Sequence, residues 1–269
     1  MGRWLIALLA ASVGLVAAAA SAHVVVARTA YEAHRLQGHA TTAFTVSCRP
    51  GFVAVSGGVA GPPGDARLLG LQPRDSRSFG FRFANPGAAA RVRVAVACRR
   101  SSGPELRLTR LERRLAVPAG GFASAALRCP RQTTPAGSGV DLRGAGVTLR
   151  RATASLRGFS FTVRNAAAKP AAAVLYGNCL TAVRSAGAAA EALRVEITSF
   201  TDLVSPGSRA VRHGCRKGWL SLGTGYALRR PELDVRAAAA VGAGGRWRVS
   251  NGSADAATAV LQLVCARLG

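Results

Sequence analysis

The amino-acid sequence predicts an all-β protein of three tandem, disulfide-closed, β-sandwich-like units. Three observations carry this expectation. Six cysteines fall into pairs that are each 50 residues apart: Cys48 and Cys98, Cys129 and Cys179, Cys215 and Cys265. The flanks repeat with them. Gly58, Gly139 and Gly225 each lie ten residues after the first cysteine, and Asn85, Asn165 and Asn251 lie thirteen or fourteen before the second. Stretches such as "FGFRFAN" and "RWRVSN" alternate apolar and polar residues with the period of a half-buried strand. A spacing that recurs three times is the signature of an internal repeat.

From the N-terminus, Arg3, the apolar run "WLIALLAASVGLVAAAA" and the small residues Ala20-Ser21-Ala22 read as a signal peptide over residues 1–22. An uncleaved membrane anchor is the rival reading, but the run is short for a span and rich in alanine. No later apolar run approaches the length of a span, so the mature chain is expected to be exported and released. The first repeat then occupies 23–105, the second 106–191 and the third 192–269, with joints at "RRSSGPE" (99–105) and "RSAGAAAEA" (184–192). Each holds about six strand-like stretches, typical of a small β unit with a modest core.

The strand phase places the cysteines. Val92, Val94, Val96 and Cys98 share one face of "RVRVAVAC", and Phe44, Val46 and Cys48 share a face of an earlier strand. Both cysteines of a unit therefore face its core from different strands, which is what a buried inter-strand disulfide requires. The expected pairs are Cys48–Cys98, Cys129–Cys179 and Cys215–Cys265, and three disulfides suit an oxidising compartment. The aromatic residues Phe81, Phe161 and Trp247, each four before the repeated Asn, fall in core phase. The repeated Gly is expected at a bulge or tight turn, and the repeated Asn at a turn that it caps with its own side chain. The second unit is degenerate. It keeps the Cys and the Gly at plus ten but lacks the glycine and aromatic that the other two carry as Gly51-Phe52 and Gly218-Trp219.

The run "CRPGFVAVSGG", then "FGFRFAN", then "VRVAVAC" resembles an uncharacterised repeat of secreted proteins from high-GC Gram-positive bacteria. Its usual form is Cys-Pro-x-Gly, a strand ending in Gly-Gly, a Gly-Trp strand ending in Asn, and a strand ending in Cys. The resemblance covers nearly the whole mature chain and implies fold and export, with no activity attached. Immunoglobulin domains also join an early to a late strand by a disulfide, but their Trp and Tyr landmarks are missing here. Threefold repetition also fits a single pseudo-threefold β-prism, which is the alternative architecture.

The chemistry-bearing residues do not assemble into a catalytic pattern. No carboxylate recurs at a matched position in all three units, and there is no Gly-x-Ser-x-Gly elbow. His34 and His39 lack a third partner at metal-ligand spacing, and the cysteines are committed. His23 would become the mature N-terminus, where an amine and an imidazole can chelate copper, but no further ligand accompanies it. His213 lies in core phase and reads as structural. Neither a metal nor a cofactor is expected, and an enzyme is not expected.

Charge is the remaining signal. The chain carries 36 basic and 12 acidic residues, a formal +24, and all but two of the basic residues are arginine. The three units carry +7, +10 and +6. Alternation turns Arg91 and Arg93, Arg107 and Arg110, and Arg246 and Arg248 outward, and Arg113 and Arg114 extend the second-unit cluster. Such a surface concentrates polyanions. The expected function is a secreted, non-catalytic structural or binding protein of the cell exterior. It would hold anionic cell-wall polymer, lipid head groups or extracellular nucleic acid through Arg91, Arg93, Arg107, Arg110, Arg113 and Arg114. The rivals are a solvated surface shaped by GC-rich coding, and an envelope-polymer hydrolase without a recognisable motif.

Overall fold

The computed structural model describes residues 25–61, 64–183 and 193–268. The expected signal peptide and cleavage site, His23 and the second joint (184–192) lie outside the described residues. Strands account for most of those described, and no helix is present among them. The first unit contributes β1 (Val25–Leu36), β2 (Ala40–Ser47), β3 (Val53–Val59), β4 (Arg67–Pro73), β5 (Ser78–Asn85) and β6 (Ala90–Ser101). The second contributes β7 (Glu105–Val117), β8 (Phe122–Arg128), β9 (Thr134–Arg143), β10 (Val147–Ser155), β11 (Gly158–Asn165) and β12 (Ala171–Val183). The third contributes β13 (Leu193–Val204), β14 (Gly207–Gly214), β15 (Leu220–Leu228), β16 (Leu233–Val241), β17 (Gly244–Asn251) and β18 (Ala257–Leu268). Of the first joint, Arg99, Arg100 and Ser101 still belong to β6, and Glu105 opens β7.

The disulfides join Cys48 to Cys98, Cys129 to Cys179 and Cys215 to Cys265, all within units, with Cα atoms 5.7–5.8 Å apart. Each unit folds as two three-stranded half-sheets over its own core, which holds the cysteines and the in-phase aromatics. Phe81, Phe161 and Trp247 are each at most 2% exposed. The expectation of an all-β chain with disulfide-closed units therefore holds.

The units are fused rather than strung together. The three six-stranded sheets run β1-β6-β3-β16-β17-β14, β2-β5-β4-β9-β12-β7 and β13-β18-β15-β10-β11-β8. Each combines one half-sheet from each of two units, and the third unit pairs back onto the first through β16 and β3. The pairing is cyclic, which is the pseudo-threefold arrangement of the alternative reading with the disulfides kept inside the units. Closure hides the strand edges that separate sandwiches would expose at β3, β4, β9, β10, β15 and β16. A fourth apolar cluster fills the centre, drawn from all three units: Val55, Ala136 and Leu222 occupy matched positions, seven residues after the first cysteine.

The repeated glycines lie at the seams, not in turns. A Cβ on Gly58 would stand 2.1 Å from the Ala238 carbonyl oxygen, on Gly139 2.1 Å from that of Leu71, and on Gly225 2.5 Å from that of Ala152. Each contact is across the junction of two units, so only a residue without a side chain lets the strands approach. The bulges sit earlier, at Ala54/Ser56 in β3 and Ser221/Gly223 in β15. Buried polar side chains meet the freed carbonyls from the neighbouring unit. Asn178 donates to Ala54 and Val55 oxygens at 3.5 and 3.4 Å. Arg99, fully buried, donates to the carbonyl of Ser221 and, at 3.3 Å, to that of Gly242. Burial pulls its guanidinium down to about 10, which leaves it charged at neutral pH.

The repeated asparagines staple two hairpins. The Asn165 carboxamide oxygen accepts from the Ala167 N–H at 3.0 Å, the expected turn cap, while its nitrogen donates to Pro118 and Lys169 oxygens at 3.1 and 2.8 Å. Asn85 and Asn251 repeat the pattern with Gln37 and Ala88, and with Val204 and Asp255. Asn251 is 3% exposed, so the formal glycosylation sequon at 251–253 has its amide nitrogen engaged and buried.

The degenerate unit bears a local cost. Gly51 and Gly218, three residues after the first cysteine, have φ of 80° and 81°, and the matched Gln132 is held at 62°. A left-handed conformation costs a non-glycine residue roughly 1–2 kcal/mol. Gln132→Gly is therefore expected to stabilise the protein by up to about 1 kcal/mol once the extra freedom of glycine in the unfolded chain is counted. A denaturant midpoint at or below that of the parent would refute this.

Candidate functional site

Arg91, Arg93, Arg107, Arg110, Arg113 and Arg114 are all exposed, but they do not form one site. Four lie on β7, an edge strand, and two of those are neutralised by neighbours. Arg107 bonds Glu105 at 2.8 Å, which raises the guanidinium and holds the carboxylate below its usual range. Arg110 bonds Glu112 at 2.8 Å and lies 4.9 Å from the centre of the Tyr176 ring. Arg113 reaches the Ala126 oxygen at 3.4 Å. Inward of this edge, Asp141 is clamped between Arg82 at 2.5 Å and Arg143 at 3.0 Å. The second unit keeps the largest net formal charge, but two of its three carboxylates, Glu112 and Asp141, together with Glu105 of the first unit, sit at and beside this edge.

The sheet shared by the first and third units is less balanced. Arg91 on β6 stands directly opposite Arg35 on β1, and Arg246 on β17 directly opposite Arg212 on β14. All four are exposed, and Arg93 stands two residues from Arg91. Arg93 and Arg246 come from different units and wall a groove of about 420 Å³ with Tyr31, Glu32, Ala33 and Ala60. Tyr31 is 44% exposed there. Like charges in directly opposed register destabilise an antiparallel pair, and the one acid in the groove, Glu32, bonds His34 at 3.0 Å. Sequence reasoning picked out Arg91 and Arg93, and noted Arg246 as outward. It missed that cyclic pairing brings Arg93 and Arg246 to one groove, because nothing in the repeat spacing tells which units share a sheet.

Among the described residues, His34 and His213 do not come together as an acid–base centre. His34 stacks on Phe44 with ring centres 3.6 Å apart. His213 stacks on Phe200 at 3.7 Å and bonds Asp202 at 2.9 Å. The two pairs belong to different units, and each imidazole lies flat against an aromatic ring. Among the described residues, no three His, Cys, Asp or Glu side chains gather as a metal site.

A second feature was not anticipated. A cavity of about 820 Å³ lies where the three units meet, lined from all of them by β3 and β4, β9 and β10, and β15 and β16. The seam glycines Gly58 and Gly139 and the half-buried Leu68, Leu69, Leu149 and Val235 form much of its wall. Its titratable residues are five arginines, one aspartate and Tyr226. The signal for it in the sequence is the set of glycines at plus ten, which mark close approach but not the space beside it.

No protein-family model matches the chain, and no curated protein matches it.

Proposed function

We propose that this is a secreted, non-catalytic binding protein of the cell exterior that attaches to anionic envelope polymer through the sheet shared by its first and third units. The observation that carries the reading is the pair of directly opposed arginines, Arg35 with Arg91 and Arg212 with Arg246, flanking the Arg93–Arg246 groove. A compositional excess of arginine spreads charge; here it is stacked in register where each strand pair is weakened by it. A phosphate or carboxylate polymer along the groove relieves that repulsion. Three disulfides and the N-terminal apolar run support an extracellular setting.

Binding of this kind falls linearly with salt on a log–log scale, by about 0.9 per phosphate neutralised on duplex DNA. Teichoic acid is the polymer to assay, with DNA as a probe of known charge spacing. Replacing Arg91, Arg93, Arg212 and Arg246 together by Gln is expected to flatten the DNA slope by up to about 3 to 4. Replacing Arg107, Arg110, Arg113 and Arg114 is expected to flatten it less, because Glu105 and Glu112 already neutralise two of them. Absence of binding near physiological salt, or equal effects of the two sets, would overturn the reading and leave the charge as a product of composition.

A further inference from the structure

We infer that the cavity between the three units is a binding site for a small, single-tailed amphiphile with an anionic head. This goes beyond the polymer reading and uses different residues. The cavity's volume, about 820 Å³, falls within the range of small-molecule sites, which are concave, largely apolar and furnished with a few convergent polar groups. Leu68, Leu69, Leu149 and Val235 are half-buried and line the space, Leu68, Leu149 and Val235 from the margins of the three unit cores, and Gly57, Gly58 and Gly139 contribute bare backbone to its wall. That wall suits a hydrocarbon tail.

The polar residues choose the head group. Five arginines against one aspartate give the lining a formal +4. Asp234 bonds Arg236 at 3.1 Å, and Arg82 is committed to Asp141 at 2.5 Å. Arg150 is buried without a carboxylate; it donates to the Leu233 oxygen at 2.8 Å and to the carbonyl of Arg230. Arg67, at the start of β4, and Arg164, near the end of β11, make no ion pair among the described residues, and Arg164 only skirts the Phe122 ring at 5.8 Å. Tyr226 makes no hydrogen bond among the described residues, and burial raises its hydroxyl above the usual range, so it is a neutral donor. An apolar wall, two uncompensated guanidiniums and a free phenol donor select an anion with a tail. A neutral alcohol gains only the weaker, uncharged acceptor's hydrogen bonds from these groups, and a cationic amphiphile is repelled by them.

The test is calorimetric titration of the oxidised full-length protein with dodecanoate, dodecanol, dodecyltrimethylammonium and acetate. Dodecanoate is expected to bind one to one, at least tenfold more tightly than dodecanol, with no binding of the cation or of acetate; charge-assisted hydrogen bonds are worth a factor of this order. Arg67→Gln with Arg164→Gln should weaken dodecanoate about tenfold and leave dodecanol unchanged. Val235→Trp, which fills the space, should abolish binding while the melting temperature reports that the fold is kept. The Arg91, Arg93, Arg212, Arg246→Gln variant should bind dodecanoate like the parent, which separates this site from the polymer surface. Equal binding of anionic and cationic tails, several dodecanoates per chain, or undiminished binding by a folded Val235→Trp protein would overturn the inference.

Discussion

Full reduction of the three disulfides is expected to unfold the protein. Each closes a 50-residue loop, and loop-closure entropy assigns such a bridge about 4 kcal/mol, so about 12 for three non-overlapping loops. That total is comparable with the whole stability of a typical domain, 5–15 kcal/mol. Burial adds to the dependence. Cys48, Cys98, Cys179 and Cys265 are each at most 3% exposed, and all three bridges sit inside the unit cores. Replacing only Cys129 and Cys179 by Ala removes one bridge and should lower the melting temperature by roughly 8–16 °C for a chain of this size. The comparison is a thermal melt by far-UV circular dichroism with and without reductant. A reduced protein that melts within a few degrees of the oxidised one would show that the cyclic sheets alone hold the fold.

The cysteine spacing made those bridges legible because a disulfide ties two fixed chain positions, and repetition fixes their separation. Strand phase made the unit cores legible for the same reason: Phe81, Phe161 and Trp247 each stand four residues before an Asn that can be counted. The relation between units was not legible. Gly58 and Gly139 read as turn or bulge residues because a glycine in a strand tells of missing space without telling whose backbone occupies it. Arg99 stood in an apparent linker, "RRSSGPE", among other arginines, and nothing marked it as the one whose guanidinium crosses to Ser221. The degenerate middle unit was visible as a lost glycine and aromatic. Its lost arginine was not. Arg100 lies 5.3 Å from the centre of the Phe52 ring and Arg267 5.2 Å from that of Trp219, and the matched residues of the second unit are Thr181 and Thr133. The candidate sites were legible only as charge. Arg93 and Arg246 become one groove, and Leu149 and Val235 one wall, only when the chain closes on itself.

Closure itself can be broken at a single atom. Gly139→Val is expected to destabilise the protein by at least about 3 kcal/mol, the upper end of the usual cost of overpacking. Even the first added carbon would stand 2.1 Å from the Leu71 carbonyl oxygen and 3.1 Å from the carbon bonded to it. Backbone cannot rotate away as a side chain does. The strand pair β4–β9 must then separate, and it is held there by a short ladder in which Gly70 faces Asp141 and Leu71 faces Val140. Separation also strains the contacts that cross this seam, the Arg82–Asp141 pair and the Tyr176 hydroxyl with the Gln72 side chain at 3.3 Å. Gly214→Ala is the control. Its added carbon would have nothing nearer than an oxygen at 3.9 Å, and its φ lies outside the left-handed region, so its effect should stay within about 0.5 kcal/mol. Chemical denaturation of the two variants decides the matter, with the denaturant slope as a second readout. If the ring opens while the units stay folded, the transition of Gly139→Val should lose cooperativity and its slope should fall, because less surface is exposed in one step. If Gly139→Val melts as one transition with the stability of the parent, the seam tolerates a side chain and the conserved spacing of these glycines within the repeat has another cause. A large loss with an unchanged slope would mean instead that the three units fold and unfold only as one body, each lacking a stable state without its neighbours.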